Sequence, residues 1–312
     1  MRDAKLFRIG QDTVQALPSS SVALEKSLQN LIERHLETLL GVRFVKTEHE
    51  TGAVHGGRID TLGLDENNCP VIIEYKRALN ENVINQGLFY LNWLMDHKAE
   101  FKLLVLERYG KLTADAIDWT APRLLCIAGD FTKYDEHAVQ QIPRNIALIR
   151  YRRYGEDLLL LEVAAATTAV AMPLTKSEST KSFNTKGQDQ PEEDKLYVLQ
   201  QFDKCSPAVR DRFEALRAYV VSLGDVQERT VKNYVSFRRL KGFANVMFRP
   251  QTDRMLVYIN LSPDSITLEQ GFTRDMRGKA GWTGVWQLEL TIDSDDDLER
   301  AKPLIQKSYE AS

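Results

Sequence analysis

The sequence predicts an α/β domain with a mixed central sheet flanked by helices, followed by a smaller α+β C-terminal domain. Three observations carry this. Through the first 166 residues, apolar positions at helical spacing alternate with short apolar, β-branched runs. From Thr175 to Asp194 the chain is Ser, Thr, Lys, Gln, Glu and Asp with only Phe183 to bury, the composition of a flexible linker. Beyond it come two amphipathic helical stretches, a series of hairpin-forming segments and a capped final helix. A chain of 312 residues can hold two cores. The divisions read as 1–166, a linker at 167–194, and 195–312.

In order along the chain, Ser19 to Ser21 offer N-caps for a helix to about Leu40. Leu24, Leu28, Leu31, Ile32, Leu36, Leu39 and Leu40 form its apolar stripe, and Gly41 stops it. Val42 to Lys46 reads as a strand, and His49 to Gly57 as a polar, Gly-rich loop. Arg58-Ile59-Asp60 begins a second strand, Asp65-Glu66-Asn67-Asn68 makes a turn, and Val71 to Lys76 returns as the antiparallel neighbour. Glu81 to about His97 reads as a helix. Phe101 to Glu107 and Arg123 to Ala128 read as added parallel strands around a short helix at Thr113 to Asp118, and Ile146 to Tyr151 with Asp157 to Val163 as a closing hairpin.

In the C-terminal part, Leu196 to Phe202 and Pro207 to Leu223 are amphipathic helices. Val226 to Lys241 carries basic residues interleaved with Tyr234 and Phe237. That mixture suits either a helix with its aromatics in the core or a surface that tracks phosphates and stacks bases. Phe243 to Phe248 and Met255 to Leu261 form a hairpin turning at Pro250 to Asp253. A strand near Val285 to Ile292 and a helix capped by Ser294 end the chain. Gly278 to Gly284, with Trp282, reads as a loop.

Composition excludes several classes of function. The three cysteines, Cys69, Cys126 and Cys205, are far apart and form neither a disulfide framework nor a zinc motif, so a reduced, cytoplasmic protein is expected. Met1 to Gly10 has no signal-peptide core. The longest apolar run, Leu158 to Leu174, contains Glu162 and Pro173 and reads as a buried strand, so no membrane partner is expected. A net charge of −3 does not mark a nucleic-acid binder, yet phosphate attraction depends on where cations lie more than on their sum.

The chemistry concentrates between Gly57 and Tyr90. Side chains alternate along a strand, so Glu74 and Lys76 share a face, and Asp60 on the adjoining strand can meet them. A surface salt bridge is the plain reading of Glu74 and Lys76 alone. The apolar run Val71-Ile72-Ile73 argues for a buried strand, where charges are costly unless used. Two carboxylates with a lysine suit a cation of the Mg²⁺ or Mn²⁺ type and a positioned water. Gln86 and Tyr90 follow at i and i+4 on one helix face. Arg58 and His55 flank the site in the Gly-rich region, where Arg can hold a phosphate through paired donors.

Glu25, Asp60, Glu74-x-Lys76 and Gln86-x-x-x-Tyr90, in this order, resemble the PD-(D/E)XK nuclease superfamily. The Gln-x-x-x-Tyr helix is similar to that of its RecB-type and NucS-like branches. Ile59 stands where the superfamily's name has proline. The match covers roughly residues 20 to 110. The whole chain resembles predicted type IV restriction endonucleases that carry an uncharacterised C-terminal accessory domain.

The resemblance implies a restriction-endonuclease-like fold and divalent-metal-dependent hydrolysis of DNA, in restriction or defence against foreign DNA. Asp60 and Glu74 would bind Mg²⁺ or Mn²⁺, Lys76 would serve the water, and Gln86 and Glu25 would support. Glu33 and Glu37 share the helix of Glu25, and a solvated acid at a helix start is an equally good reading of Glu25. Arg238, Arg239 and Lys241 are further candidates for substrate contact. The alternative is a catalytically silent nucleic-acid-binding or adaptor protein on a nuclease fold. A homodimer would suit cutting both strands, and the C-terminal domain could instead bind a protein partner.

Overall fold

The computed structural model describes residues 5–20, 25–52, 56–76, 83–155, 157–168, 196–279 and 285–312. The chain divides into two compact units. The first comprises residues 1–63, 71–104 and 123–167, and the second comprises 64–70, 105–122 and 168–312. Two short segments from the N-terminal half of the sequence therefore belong to the C-terminal unit. Of the linker expected at 167–194, all but the first two residues lie outside the described residues.

The first unit opens with a hairpin, β1 (Leu6–Ile9) and β2 (Val14–Leu17), whose short, largely exposed strands gave no sequence signal. β3 (Ser19–Ser20) stands where a helix cap was expected, and the helix comes as two pieces, α1 (Glu25–Arg34) and α2 (Leu36–Leu40). Leu28, Ile32, Leu36 and Leu40 are buried along their stripe. Gly41, at φ 64°, closes the second piece with its N–H returned to the Glu37 carbonyl, a left-handed end that glycine adopts without strain. β4 (Arg43–Glu50), β5 (Arg58–Leu64) and β6 (Pro70–Lys76) follow.

Helices α3 (Val83–Asp96), α4 (Lys98–Tyr109) and α5 (Lys111–Asp115) come next, so the strand expected at Phe101 to Glu107 is helical. Phe101 and Val105 are buried one turn apart while Leu103 and Leu106 are exposed, which is a helical period in a run too apolar to distinguish by eye. β7 (Arg123–Ala128), α6 (Lys133–Gln140), β8 (Asn145–Tyr154) and β9 (Leu158–Thr167) complete this part. Among the described residues the sheet order is β3-β8-β7-β6-β5-β4, with β9 also paired to β8. β6, β7 and β8 run parallel while β8 and β9 are antiparallel, so the sheet is mixed and flanked by helices. α3 packs close because Gly87 has no side chain: a Cβ there would lie 2.5 Å from Leu124 Cδ1 on β7.

The second unit pairs helices α7 (Tyr197–Asp203), α8 (Pro207–Ser222) and α9 (Asp295–Glu310) with strands β10 (Gln227–Thr230), β11 (Val235–Arg238), β12 (Gly242–Arg249), β13 (Arg254–Ile259), β14 (Thr273–Asp275) and β15 (Leu288–Ile292). Its antiparallel sheet has the order β10-β11-β12-β13-β15-β14. The basic stretch 226–241 is thus a hairpin, in which Val235 and Phe237 face the core and Ser236 and Arg238 the other side. Phe202, Phe213 and Phe248 pack as tilted and edge-on rings with centroids 5.0 to 5.5 Å apart. Burial of each such ring contributes roughly 1.5–3 kcal/mol. Ser294 and Asp297 form a reciprocal capping box at the start of α9. No helix among the described residues is long and apolar enough to cross a membrane.

Candidate active site

Asp60 lies on β5 and Glu74 on β6, which are neighbours in the sheet. The Asp60 N–H donates to Glu74 Oε1 across 3.3 Å, and the Tyr75 N–H donates to Asp60 Oδ2 across 2.9 Å. Each carboxylate is thereby tied to the other's strand, and the two acids are held as a pair. Glu74 is fully buried and Asp60 half-buried. Lys76, also half-buried, follows Glu74 by two residues and shares its face of β6.

Thr61 and Tyr75, one step along each strand, face the other way. There Thr61 Oγ1 donates to Glu33 Oε1 at 2.6 Å, and Gln29 Nε2 donates to Glu33 Oε1 at 3.0 Å and to the Asp60 carbonyl at 2.9 Å. Burial first, and then the negative charges of Glu33, Asp60 and Glu74, hold the Tyr75 phenol well above its ordinary range. It is therefore a neutral wall beneath the acids. Gln29 and Glu33 lie one turn apart on α1; Gln29 leaves no signal in the sequence, where polar helix positions read as solvated, and Glu33 stands there only as a rival to Glu25. Glu25 opens α1, but its side chain lies outside the described residues.

Tyr90 ties α3 to the start of β5. Its hydroxyl accepts from the Arg58 N–H at 3.1 Å and from Gln86 Nε2 at 3.2 Å. Gly57 makes room for this: a Cβ there would lie 2.7 Å from the Tyr90 hydroxyl and ring edge. Thr51 Oγ1 clasps the N–H and carbonyl of Gly57, both at 2.9 Å, closing the loop that precedes β5. His55 lies within that loop, outside the described residues.

Arg58 is exposed and pairs with Glu48 at 2.6 Å, and Glu48 also takes the ammonium of Lys26. Burial would raise the Glu48 carboxyl, but the Lys26 hydrogen bond and the charges of Lys26 and Arg58 outweigh it and hold it below the usual range. Arg58, sharing a face of β5 with Asp60, is thus a cation already oriented by a carboxylate.

Arg238, Arg239 and Lys241 do not form an exposed basic surface. Arg238 is 1% exposed, with Nη1 at 3.4 Å from Glu66 and Nη2 donating to the Leu240 carbonyl, so it is closed to a nucleic acid. Arg239 is half-buried with its guanidinium 4.7 Å from the Tyr309 ring centre, and Lys241 is half-buried in the same turn. Arg229 of the same hairpin is likewise used internally, meeting Asp65.

Asp60 and Glu74 offer hard carboxylate oxygens, the donor type that Mg²⁺ takes while keeping several waters. Among the described residues no group of three or more His, Cys, Asp or Glu side chains is gathered to hold a metal. A cation at this point would meet the acid pair, a donor set that fits it.

Fold and side chains together define a mixed α/β unit with a carboxylate pair and a lysine on two adjoining strands, and a separate antiparallel-sheet unit. Residues 198–312 match a family model described as a domain of unknown function, DUF5655. An uncharacterised protein of Haemophilus influenzae is 26% identical over 314 residues, covering 97% of this chain and 99% of that protein. A repair endonuclease from Pyrococcus abyssi aligns with 41% of this chain and 48% of its own, at 16% identity and a TM-score of 0.26. An EndoMS–double-stranded DNA complex aligns over 44% of this chain and 49% of the other, at 19% identity and a TM-score of 0.24. The chain spans about half the length of each of these two structures, and at such scores no activity carries across.

Proposed function

We propose that the chain is a divalent-metal-dependent endonuclease hydrolysing DNA phosphodiester bonds. The observation that carries the reading is the mutual anchoring of Asp60 and Glu74, with Lys76 on the face of Glu74. Placing two carboxylates and an ammonium on the central strands of a sheet costs stability, and that cost is explained by chemistry at that point. Asp60 and Glu74 would hold Mg²⁺ or Mn²⁺. When bound, the cation would neutralise charge developing on the phosphate.

The chain's own groups supply the rest. The Lys76 ammonium would orient a water and hold negative charge developing on it. Arg58, braced by Glu48, has further donors for a phosphate oxygen. Gln86 and Tyr90 fix the start of β5, and so the position of Asp60. The complete burial of Glu74 favours a second reading, a nucleic-acid-holding or adaptor protein without cleavage.

Incubation of purified protein with plasmid DNA and Mg²⁺ or Mn²⁺ distinguishes the two. The nuclease reading expects cleavage that is lost in Asp60→Asn and in Lys76→Ala. Undiminished cutting by both folded variants sinks it, and binding without cutting by the parent protein establishes the silent role.

A further inference from the structure

We propose that the second unit carries a groove for the phosphate backbone of nucleic acid, on the sheet face opposite α7, α8 and α9 and built on Arg249, Arg254 and Arg274. Alternation along β13 sends Met255, Val257 and Ile259 into the core beneath the helices and Arg254 and Leu256 to the other face. On that face an open depression of about 620 Å³ is lined by the three arginines together with Thr252, Gln270, Thr291, Leu256, Phe272 and the carboxylate of Glu289.

The pairing of the strands makes the arrangement informative. Arg249 and Arg254 stand directly opposite each other on β12 and β13. Like charges so placed repel and give folding nothing. An anion between them turns that repulsion into binding. Arg254 Nε lies 3.2 Å from Asp293, and Arg274 Nη2 donates to the buried Glu289 at 2.9 Å. Each carboxylate orients one edge of a guanidinium and leaves its remaining donors for a ligand. Arg249 is exposed and makes no ion pair among the described residues.

The spread of the cations indicates a chain of phosphates and not a single one. β12 and β14 are three strand steps apart in the sheet, roughly 14 Å at strand spacing. Guanidiniums at that separation, with hydroxyl and amide groups and the apolar side chains of Leu256 and Phe272 between them, match a repeating anionic backbone. The choice of nucleic acid over another polyanion rests on the nuclease reading above.

The test uses the full chain bearing Asp60→Asn, without divalent ions, so that binding is read apart from cleavage. Fluorescence anisotropy with a labelled duplex and a labelled single strand, from about 50 to about 200 mM NaCl, measures affinity and its salt dependence. Adding Arg249→Ala with Arg274→Ala is expected to weaken binding at least about tenfold and to flatten the log–log salt slope by about 2. Circular dichroism and thermal melting verify that the fold is retained. An unchanged Kd and slope in the folded variant overturn the groove, as does a parent that binds neither strand at the lowest salt. Competition by polyglutamate as effective as by DNA at equal charge also overturns it. Cleavage by the unmodified chain is scored separately: arginine-dependent binding without cleavage keeps the groove and removes the nuclease reading, and the converse result does the reverse.

Discussion

Arg229 Nη2 donates to Asp65 Oδ2 across 2.6 Å, joining two residues 164 positions apart that are both closed to water. Asp65 also accepts from the N–H groups of Asn67 and Cys69, each at 2.9 Å, so its carboxylate organises the turn at residues 64–70 as well as neutralising the arginine. Burial would pull the Arg229 guanidinium down, and the Asp65 charge more than restores it. Removing one member leaves the other charged and buried. Arg229→Met is therefore expected to cost about 3–5 kcal/mol, read as a lower urea midpoint. Arg229→Met combined with Asp65→Leu should recover only part of this, because the turn's two backbone N–H groups lose their acceptor. Full recovery would show that Asp65 serves the arginine alone.

Gly57 and Tyr90 give a second prediction. With a Cβ only 2.7 Å from the Tyr90 ring edge and hydroxyl, Gly57→Ala must push the tyrosine off the Arg58 N–H. Overpacking of this kind costs about 1–3 kcal/mol. The variant should melt lower than the parent, and Tyr90→Phe in the Gly57→Ala background should add little, since the bond it removes is already broken. An additive further loss would contradict this.

How much of this was legible in the sequence depended on the range of the interactions involved. Glu74 and Lys76 stood out because two charges interrupted an apolar strand, and Ser294 because its capping partner Asp297 is three residues away. Glu33 was noticed only as a rival to Glu25, since its link to Thr61 spans 28 positions and leaves no periodic trace. Arg238 reads as a candidate for substrate contact for the same reason: its carboxylate, Glu66, lies 172 residues upstream. The helix α4 reads as a strand because Phe101, Leu103, Leu104, Val105 and Leu106 make an apolar run dense enough to satisfy either period.

His49 supplies a pH prediction. Its ring lies 5.0 Å from Trp93, and Nε2 is 3.1 Å from Glu100, with Lys46 and Glu50 on the same strand. Burial lowers its pKa, and the attraction of Glu100 only partly opposes this, so the folded value lies below the unfolded one. The neutral ring is favoured by the fold. Its contribution is complete above an unfolded value of about 6.5 and is lost as pH falls through the folded value. The urea midpoint should drop between about pH 7.5 and about pH 5.5, and His49→Gln should reduce that drop. A variant with the same pH slope as the parent would assign the effect to other groups.

The acid pair separates architecture from chemistry most directly. Glu74 Oε1 accepts from the Asp60 N–H, and Asp60 Oδ2 from the Tyr75 N–H. The amide of Asp60→Asn or Glu74→Gln retains an oxygen that can accept the same bond while removing the negative charge. Both variants should keep a melting temperature close to the parent's. If the pair holds a cation for phosphodiester hydrolysis, each should lose cleavage by about 10²-fold or more, and raising Mn²⁺ should restore part of the rate by mass action. Glu33→Gln provides the contrast: Glu33 accepts from Thr61 and Gln29 on the opposite face from Glu74, so it is expected to affect stability more than rate. Equal loss of cleavage in all three variants, with no change in stability, would place Glu33 among the groups that act on the substrate.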